Sequence, residues 1–162
     1  MSLEEEVVKA LLKRGYDITT AESCTGGMIA SALINVAGVS EVYKEGYITY
    51  SNEAKHKLLA VEEEALEQYG AVSEIVAFQM AEGAAKAAGA KTALAVTGIA
   101  GPDGGTEEKP VGLVYIGCYV NGRVTVLKNL FHGDRMLIRQ QTTEMALRML
   151  LDRLNEDSEK EP

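Results

Sequence analysis

The segment Thr20-Ala21-Glu22-Ser23-Cys24-Thr25-Gly26-Gly27 sets a hydroxyl, a thiol and two glycines where a short β-branched run gives way to a helical pattern. At such a junction the unpaired N–H groups of the first helical turn and the positive end of the helix dipole favour developing negative charge. Ser23 therefore stands where a nucleophile would gain, and Thr25, Gly26 and Gly27 form a turn that a substrate could approach closely. The amides of that turn could serve as an oxyanion hole. The plainer alternative is that Ser23 or Thr25 only caps the helix. Cys24 is a competing nucleophile, since a thiol at a helix N-terminus has a lowered pKa.

Tyr50-Ser51-Asn52-Glu53-Ala54-Lys55-His56 is a second strand-to-helix junction. Lys55 falls in the first helical turn, where the dipole opposes a cation and favours the neutral amine. Partial burial acts in the same direction, and a lysine of lowered pKa can be the general base for a serine. Tyr50, at the strand end, could orient Lys55 or relay its proton. The alternative for Lys55 is an ordinary solvated surface cation, and His56 beside it is the control for the base assignment.

Thr97 to Gly112 is a long connection rich in glycine and proline after a short apolar strand, the kind of structured loop that often carries function. Amides around Gly98 and Gly101 could cradle a phosphate in the manner of backbone nests, although neither the P-loop nor the dinucleotide fingerprint is present. Glu107, Glu108 and Lys109 read as its solvated tip. Gly133-Asp134-Arg135 precedes the last helical pattern. Arg135 could bind phosphate through a bidentate fork, or could make a surface ion pair while Asp134 caps the helix.

Composition bounds the rest. The 162 residues suit one domain, read as residues 1–155 with a frayed acidic tail at 156–162. Apolar residues make up 46% and charged residues 25%, with no Trp and two Phe, so the core must be aliphatic. The net charge of −8 disfavours a general nucleic-acid partner. Cys24 and Cys118 form neither a disulfide framework nor a metal motif, and His56 and His132 lack ligand spacing, so no metal and no cofactor is expected. No apolar run reaches membrane-spanning length and no signal peptide is evident, so a cytoplasmic location and no membrane partner are expected. A homo-oligomer is expected of an aliphatic α/β domain of this kind.

The elements follow from periodicity and punctuation. Residues 3–14 predict a helix closed by Gly15, 17–21 a strand, and 26–36 a second helix. Residues 42–50 predict a strand, 52–69 one or two short helices, and Ser73 the cap of another helix. Residues 92–97 predict a buried strand. Residues 111–120 and 123–131 predict a hairpin turned by Asn121-Gly122, a pair suited to positive φ at both central positions. A final helix starts at Asp134, with Leu147, Leu150, Leu151 and Leu154 on one stripe. This order predicts an α/β fold, a three-layer α/β/α sandwich with a mixed sheet and one antiparallel hairpin.

Together the stretches TAESCTGG at 20–27, YSNEAK at 50–55, GAVSE at 70–74, TGIAGPDGGTEEKPVG at 97–112 and GDR at 133–135 resemble the CinA C-terminal domain family. They run in order over most of the chain, and the glycine loop is the most specific. The resemblance implies a serine amidohydrolase that converts nicotinamide mononucleotide to nicotinate mononucleotide and ammonia. It implies Ser23 as nucleophile, Lys55 as its base and Tyr50 as a third polar partner, with Thr97 and Arg135 contributing to substrate binding or catalysis. It also implies that the pyrophosphatase-type domain of longer family members is absent from this chain. The rival reading is a non-catalytic nucleotide-binding or regulatory module of the same competence- and damage-related family.

Overall fold

The computed structural model describes the backbone of residues 1–160 and the side chains of residues 1–157. A five-stranded sheet of order β2-β1-β3-β4-β5 is built from β1 (Ile18–Glu22), β2 (Tyr47–Ile48), β3 (Thr92–Gly98), β4 (Leu113–Val120) and β5 (Arg123–Leu130). β2, β1 and β3 are parallel, whereas β4 and β5 run antiparallel to their neighbours. One face is covered by α1 (Leu3–Arg14), α2 (Met28–Ile34) and α6 (Arg135–Lys160). The other is covered by α3 (Asn52–Leu59), α4 (Glu63–Tyr69) and α5 (Glu74–Ala88). This is the three-layer mixed-sheet sandwich that the order of elements predicted.

Alternation along the strands divides the core in two. Leu94, Val96, Val114, Ile116 and Cys118 point toward α1, α2 and α6, where they meet Leu11, Ile29, Leu147, Leu150 and Leu154. Ala21, Ala93 and Ala95 point the other way, toward Val76, Met80, Ala81 and Ala84 of α5 and Leu59 of α3. The second face is lined by small residues because α5 lies close to the sheet. A Cβ on Gly117 would stand 2.6 Å from the Ala77 carbonyl oxygen.

Local signals placed several ends correctly. Ser2 and Glu5 form a capping box on α1, and Gly15 closes that helix with φ 65°. Ser51 and Ser73 cap α3 and α5 through their hydroxyls. Asp134 Oδ1 accepts from Leu137 N at 2.8 Å and so starts α6. The Asn121-Gly122 turn joins β4 to β5, with φ 47° and 92°.

Two expectations differ. The strand expected over 42–50 contracts to Tyr47–Ile48, preceded by a 3-10 turn at Val39–Glu41 and a single bridge from Tyr43 to Ile18. Between them the chain is tied down by one side chain, Thr19 Oγ1 donating to Glu45 O at 2.8 Å, in place of a continuous ladder. α6 also continues past Asn155 to Lys160 rather than fraying there. Arg14 of α1 donates to Leu154 O at 2.6 Å, and Tyr16 Oη, just beyond α1, donates to Asp157 at 3.1 Å, which ties this end to the N-terminal helix. Residues 161–162 of the expected tail lie outside the described residues.

Because β1, β2 and β3 are parallel, their carboxyl ends lie along one edge. The chain leaves β1 toward α2 on one face, whereas β2 is followed by α3 on the other. The 2-1-3 order therefore puts a topological switch point beside β1, where open α/β sheets bind their ligands. The 99–112 loop joins β3 to β4 at this same edge and roofs it, pinned by Ile99 N to Leu113 O and Gly112 N to Ile99 O.

Candidate active site

Ser23 is the first residue beyond β1, and its N–H still donates to Val96 O at 3.1 Å, which prolongs the sheet pairing by one step. Lys55 lies one turn into α3. Its N–H donates to Ser51 O, and its stem shares the buried face of the helix with Leu59, four residues on. Lys55 is 2% exposed, one of the largest fully enclosed side chains in the molecule. Its Nζ stands 3.1 Å from Ser23 Oγ and 2.8 Å from Thr49 O.

Burial lowers the Lys55 pKa, and the Cys24 thiol nearby opposes that shift. An ammonium at this position donates to both oxygens. A neutral amine at the same place donates to Thr49 O and turns its lone pair to the Ser23 hydroxyl, so proton transfer between the two needs no movement of heavy atoms.

Cys24 behaves otherwise than expected. It is buried, and its thiol is pushed up to about 11, chiefly by burial. Its own backbone hydrogen bond and the charges of Arg139 and Lys55 recover only part of that shift. The lowered pKa expected of a thiol at a helix start is overturned here, because α2 begins only at Met28 and desolvation exceeds the lowering by the backbone hydrogen bond and the nearby charges.

Ser23 and Lys55 open on a cleft of about 300 Å³, walled by Tyr50, Thr97, the 98–101 backbone and Arg135. Larger clefts occur elsewhere, near Leu147 and near Phe78, but they contain none of these groups. Tyr50 is 63% exposed, and its hydroxyl accepts from Arg135 Nη2 at 3.1 Å rather than meeting Lys55. Arg135 Nη1 donates to Gly101 O at 2.8 Å, so the guanidinium closes the rim between the 50–52 segment and the glycine loop. Thr97 is buried in the cleft wall, and its hydroxyl donates to Ala71 O at 2.9 Å. Gly98 and Gly101 line the cleft through their backbone.

Thr25, Gly26 and Gly27, expected to bind substrate, build the turn behind Ser23, and the side chain of Thr25 does not line the cleft. Thr25 is fully buried, and its hydroxyl donates to Glu22 Oε1 at 2.6 Å. Gly26 and Gly27 supply the positive φ of the turn, 57° and 108°, and neither lines the cleft. The Gly26 N–H is committed to Ser23 O at 3.1 Å. His56 points away from the cleft, with Nδ1 2.8 Å from Val61 O.

The family model of the CinA C-terminal domain matches residues 1–154. This chain belongs to the CinA family. A CinA-like protein of Kosmotoga olearia is 59% identical over 146 residues, covering 90% of this chain and 35% of that protein. The chain thus spans about a third of the length of the curated relatives it matches. The crystal structure of a competence-damaged protein (CinA) superfamily protein from Klebsiella pneumoniae superposes with TM-score 0.92 at 38% identity, covering 95% of this chain and 96% of the other. That of the competence/damage inducible protein CihA from Agrobacterium tumefaciens superposes with TM-score 0.88 at 44% identity, covering 96% and 97%.

Two residues that support this CinA site escape a reading of the sequence. The buried Glu22 carboxylate accepts from Ile29 N at 2.9 Å and Ala30 N at 3.1 Å, so it caps α2 from the end of β1. An acid just ahead of a helix start was the available signal. Arg139 donates through Nε to Cys24 O at 2.9 Å and through Nη2 to Thr25 O at 3.1 Å. Its only signal was that it stands one turn after Arg135 on α6. Among the described residues no cluster of His, Cys, Asp and Glu could hold a metal ion, and no helix is long and apolar enough to cross a membrane.

Proposed function

We propose that this chain is a serine amidohydrolase that deamidates nicotinamide mononucleotide to nicotinate mononucleotide, releasing ammonia. The observation that carries the reading is the 3.1 Å contact between Ser23 Oγ and the buried Lys55 Nζ at the wall of the cleft. Neutral Lys55 takes the hydroxyl proton as Ser23 Oγ bonds to the carboxamide carbon, and the carbonyl oxygen becomes an oxyanion. The protonated amine then gives that proton to the amide nitrogen, the C–N bond breaks, and ammonia leaves. An acyl ester remains on Ser23. Water adds to it, with Lys55 again receiving the proton and returning it to Ser23 Oγ as the carboxylate departs.

The rest of the cleft suits such a substrate. Arg135 is exposed at the rim and already oriented by Tyr50 and Gly101, the right chemistry for a phosphate. The proton transfers need one amine and the charge stabilisation needs backbone donors, so the mechanism asks for neither metal nor cofactor.

Ammonia release from nicotinamide mononucleotide by the purified protein, with and without EDTA, tests this directly. Turnover that survives EDTA and disappears in Ser23→Ala supports it. Binding of the nucleotide with no ammonia released would mark a nucleotide-binding module instead, and dependence on a divalent ion would sink the serine–lysine mechanism.

A further inference from the structure

The turn that follows Ser23 has three carbonyls in succession, and all three are held. Ser23 O accepts from Gly26 N, Cys24 O from Arg139 Nε, and Thr25 O from both Arg139 Nη2 and Met28 N. The amide of Thr25 makes no hydrogen bond among the described residues. Thr25 is buried, so its unpaired N–H costs free energy until an acceptor arrives. A trans peptide points its N–H opposite to its C=O. The Thr25 N–H is therefore aimed away from Arg139, which holds the Cys24 carbonyl of the same peptide. Cys24 lines the cleft and Arg139 does not.

We propose that Arg139 is a positioning residue for the oxyanion hole. By gripping the Cys24 and Thr25 carbonyls from behind the turn, it holds the Thr25 amide, which shares a peptide with the Cys24 carbonyl, ready for the oxygen of the substrate carboxamide. This rests on the amidohydrolase reading above. The fork matters as much as the charge, because two carbonyls on adjacent peptides must be held at once and only a guanidinium presents donors in that fixed geometry.

The test compares the unsubstituted protein with Arg139→Met and Arg139→Lys on two substrates, nicotinamide mononucleotide and its thiocarboxamide analogue. Sulfur accepts hydrogen bonds poorly, so an intact oxyanion hole strongly prefers the oxygen substrate. Arg139→Met is expected to lose on the order of 100-fold in kcat with little change in KM, the loss typical of one oxyanion donor. The oxygen-to-sulfur rate ratio is expected to collapse with it. Arg139→Lys, able to reach one carbonyl at a time, is expected to fall between the two, and it carries the test if Arg139→Met does not fold. A lowered Tm with an unchanged rate ratio would reduce Arg139 to a structural contact and overturn the inference. Full activity in Arg139→Lys would overturn the requirement for the fork. Absence of ammonia from the unsubstituted protein is a separate result, and it refutes the amidohydrolase reading itself.

Discussion

Lys55 Nζ and Ser23 Oγ lie 3.1 Å apart, although the two residues are 32 positions apart in the chain and begin different strand-to-helix turns. Two parallel strands bring them together. β2 pairs with β1 in register at Glu22 and Ile48, so the residues just beyond each strand end arrive side by side.

Lys55 must shed a proton to act as base, and burial lowers its pKa from the ordinary lysine value near ~10.4. The pH–rate profile is therefore expected to rise with pH along a limb set by an amine below that value. Lys55→Arg is expected to be as inactive as Lys55→Met, because a guanidinium does not give up its proton. Near-normal turnover in Lys55→Arg would show that the position requires only positive charge.

The same lowering has a thermodynamic consequence. Between the lowered folded value and the ordinary unfolded value, the unfolded chain holds a proton that the folded protein has released. Stability contributed by this site accordingly increases as pH rises through that window. Thermal melts of the parent and of Lys55→Met are expected to diverge in favour of the parent between neutral and alkaline pH. A constant difference in Tm over that range would contradict the shift.

Ser23→Ala is expected to abolish ammonia release with an unchanged melting temperature, since it removes one half-buried oxygen whose side-chain hydrogen bond among the described residues is the one to Lys55. Cys24→Ala is expected to keep most activity, because its thiol, pushed up to about 11, stays protonated at neutral pH. The reverse pattern in the two variants would reassign the nucleophile.

Arg135 and Tyr50 act as a pair at the rim, joined at 3.1 Å. Arg135→Ala is expected to weaken the nucleotide more than its phosphate-free riboside, by roughly 1.5–3 kcal/mol for a charge-assisted contact. Tyr50→Phe is expected to have a smaller effect in the same direction, and the double variant less than the sum of the two. Equal losses on nucleotide and riboside would remove Arg135 from the phosphate site.

Gly83→Ala is expected to destabilise the protein by about 1–3 kcal/mol, as overpacking does. The added Cβ would fall 1.8 Å from the Leu59 carbonyl oxygen, and the gain in helix propensity of about 1 kcal/mol does not relieve a clash with backbone. Since Leu59 ends the helix that carries Lys55, activity is expected to fall along with stability. Chemical denaturation and ammonia release measured on the same sample check both.

What the sequence by itself determined is whatever depends on a few neighbouring residues. Ser51, Ser73, Asp134 and Gly15 mark their helix ends because a cap is satisfied within one turn of the chain, and Asn121-Gly122 marks the hairpin because positive φ is a property of those two residues. Alternation and 3.6-residue periodicity assigned most elements and the three-layer class. Tertiary structure decided which of these ends meet. The Tyr50–Arg135 contact spans 85 positions and the Arg139–Cys24 contact 115, and no local pattern encodes either. It also decided how far β2 extends, that Tyr50 faces Arg135 rather than Lys55, and that Thr25 turns inward to Glu22. Burial had to come from the fold as well. Desolvation sums over every neighbour packed around a group, so the direction of the Cys24 shift and the degree to which Lys55 is enclosed became definite only when distant segments closed around them.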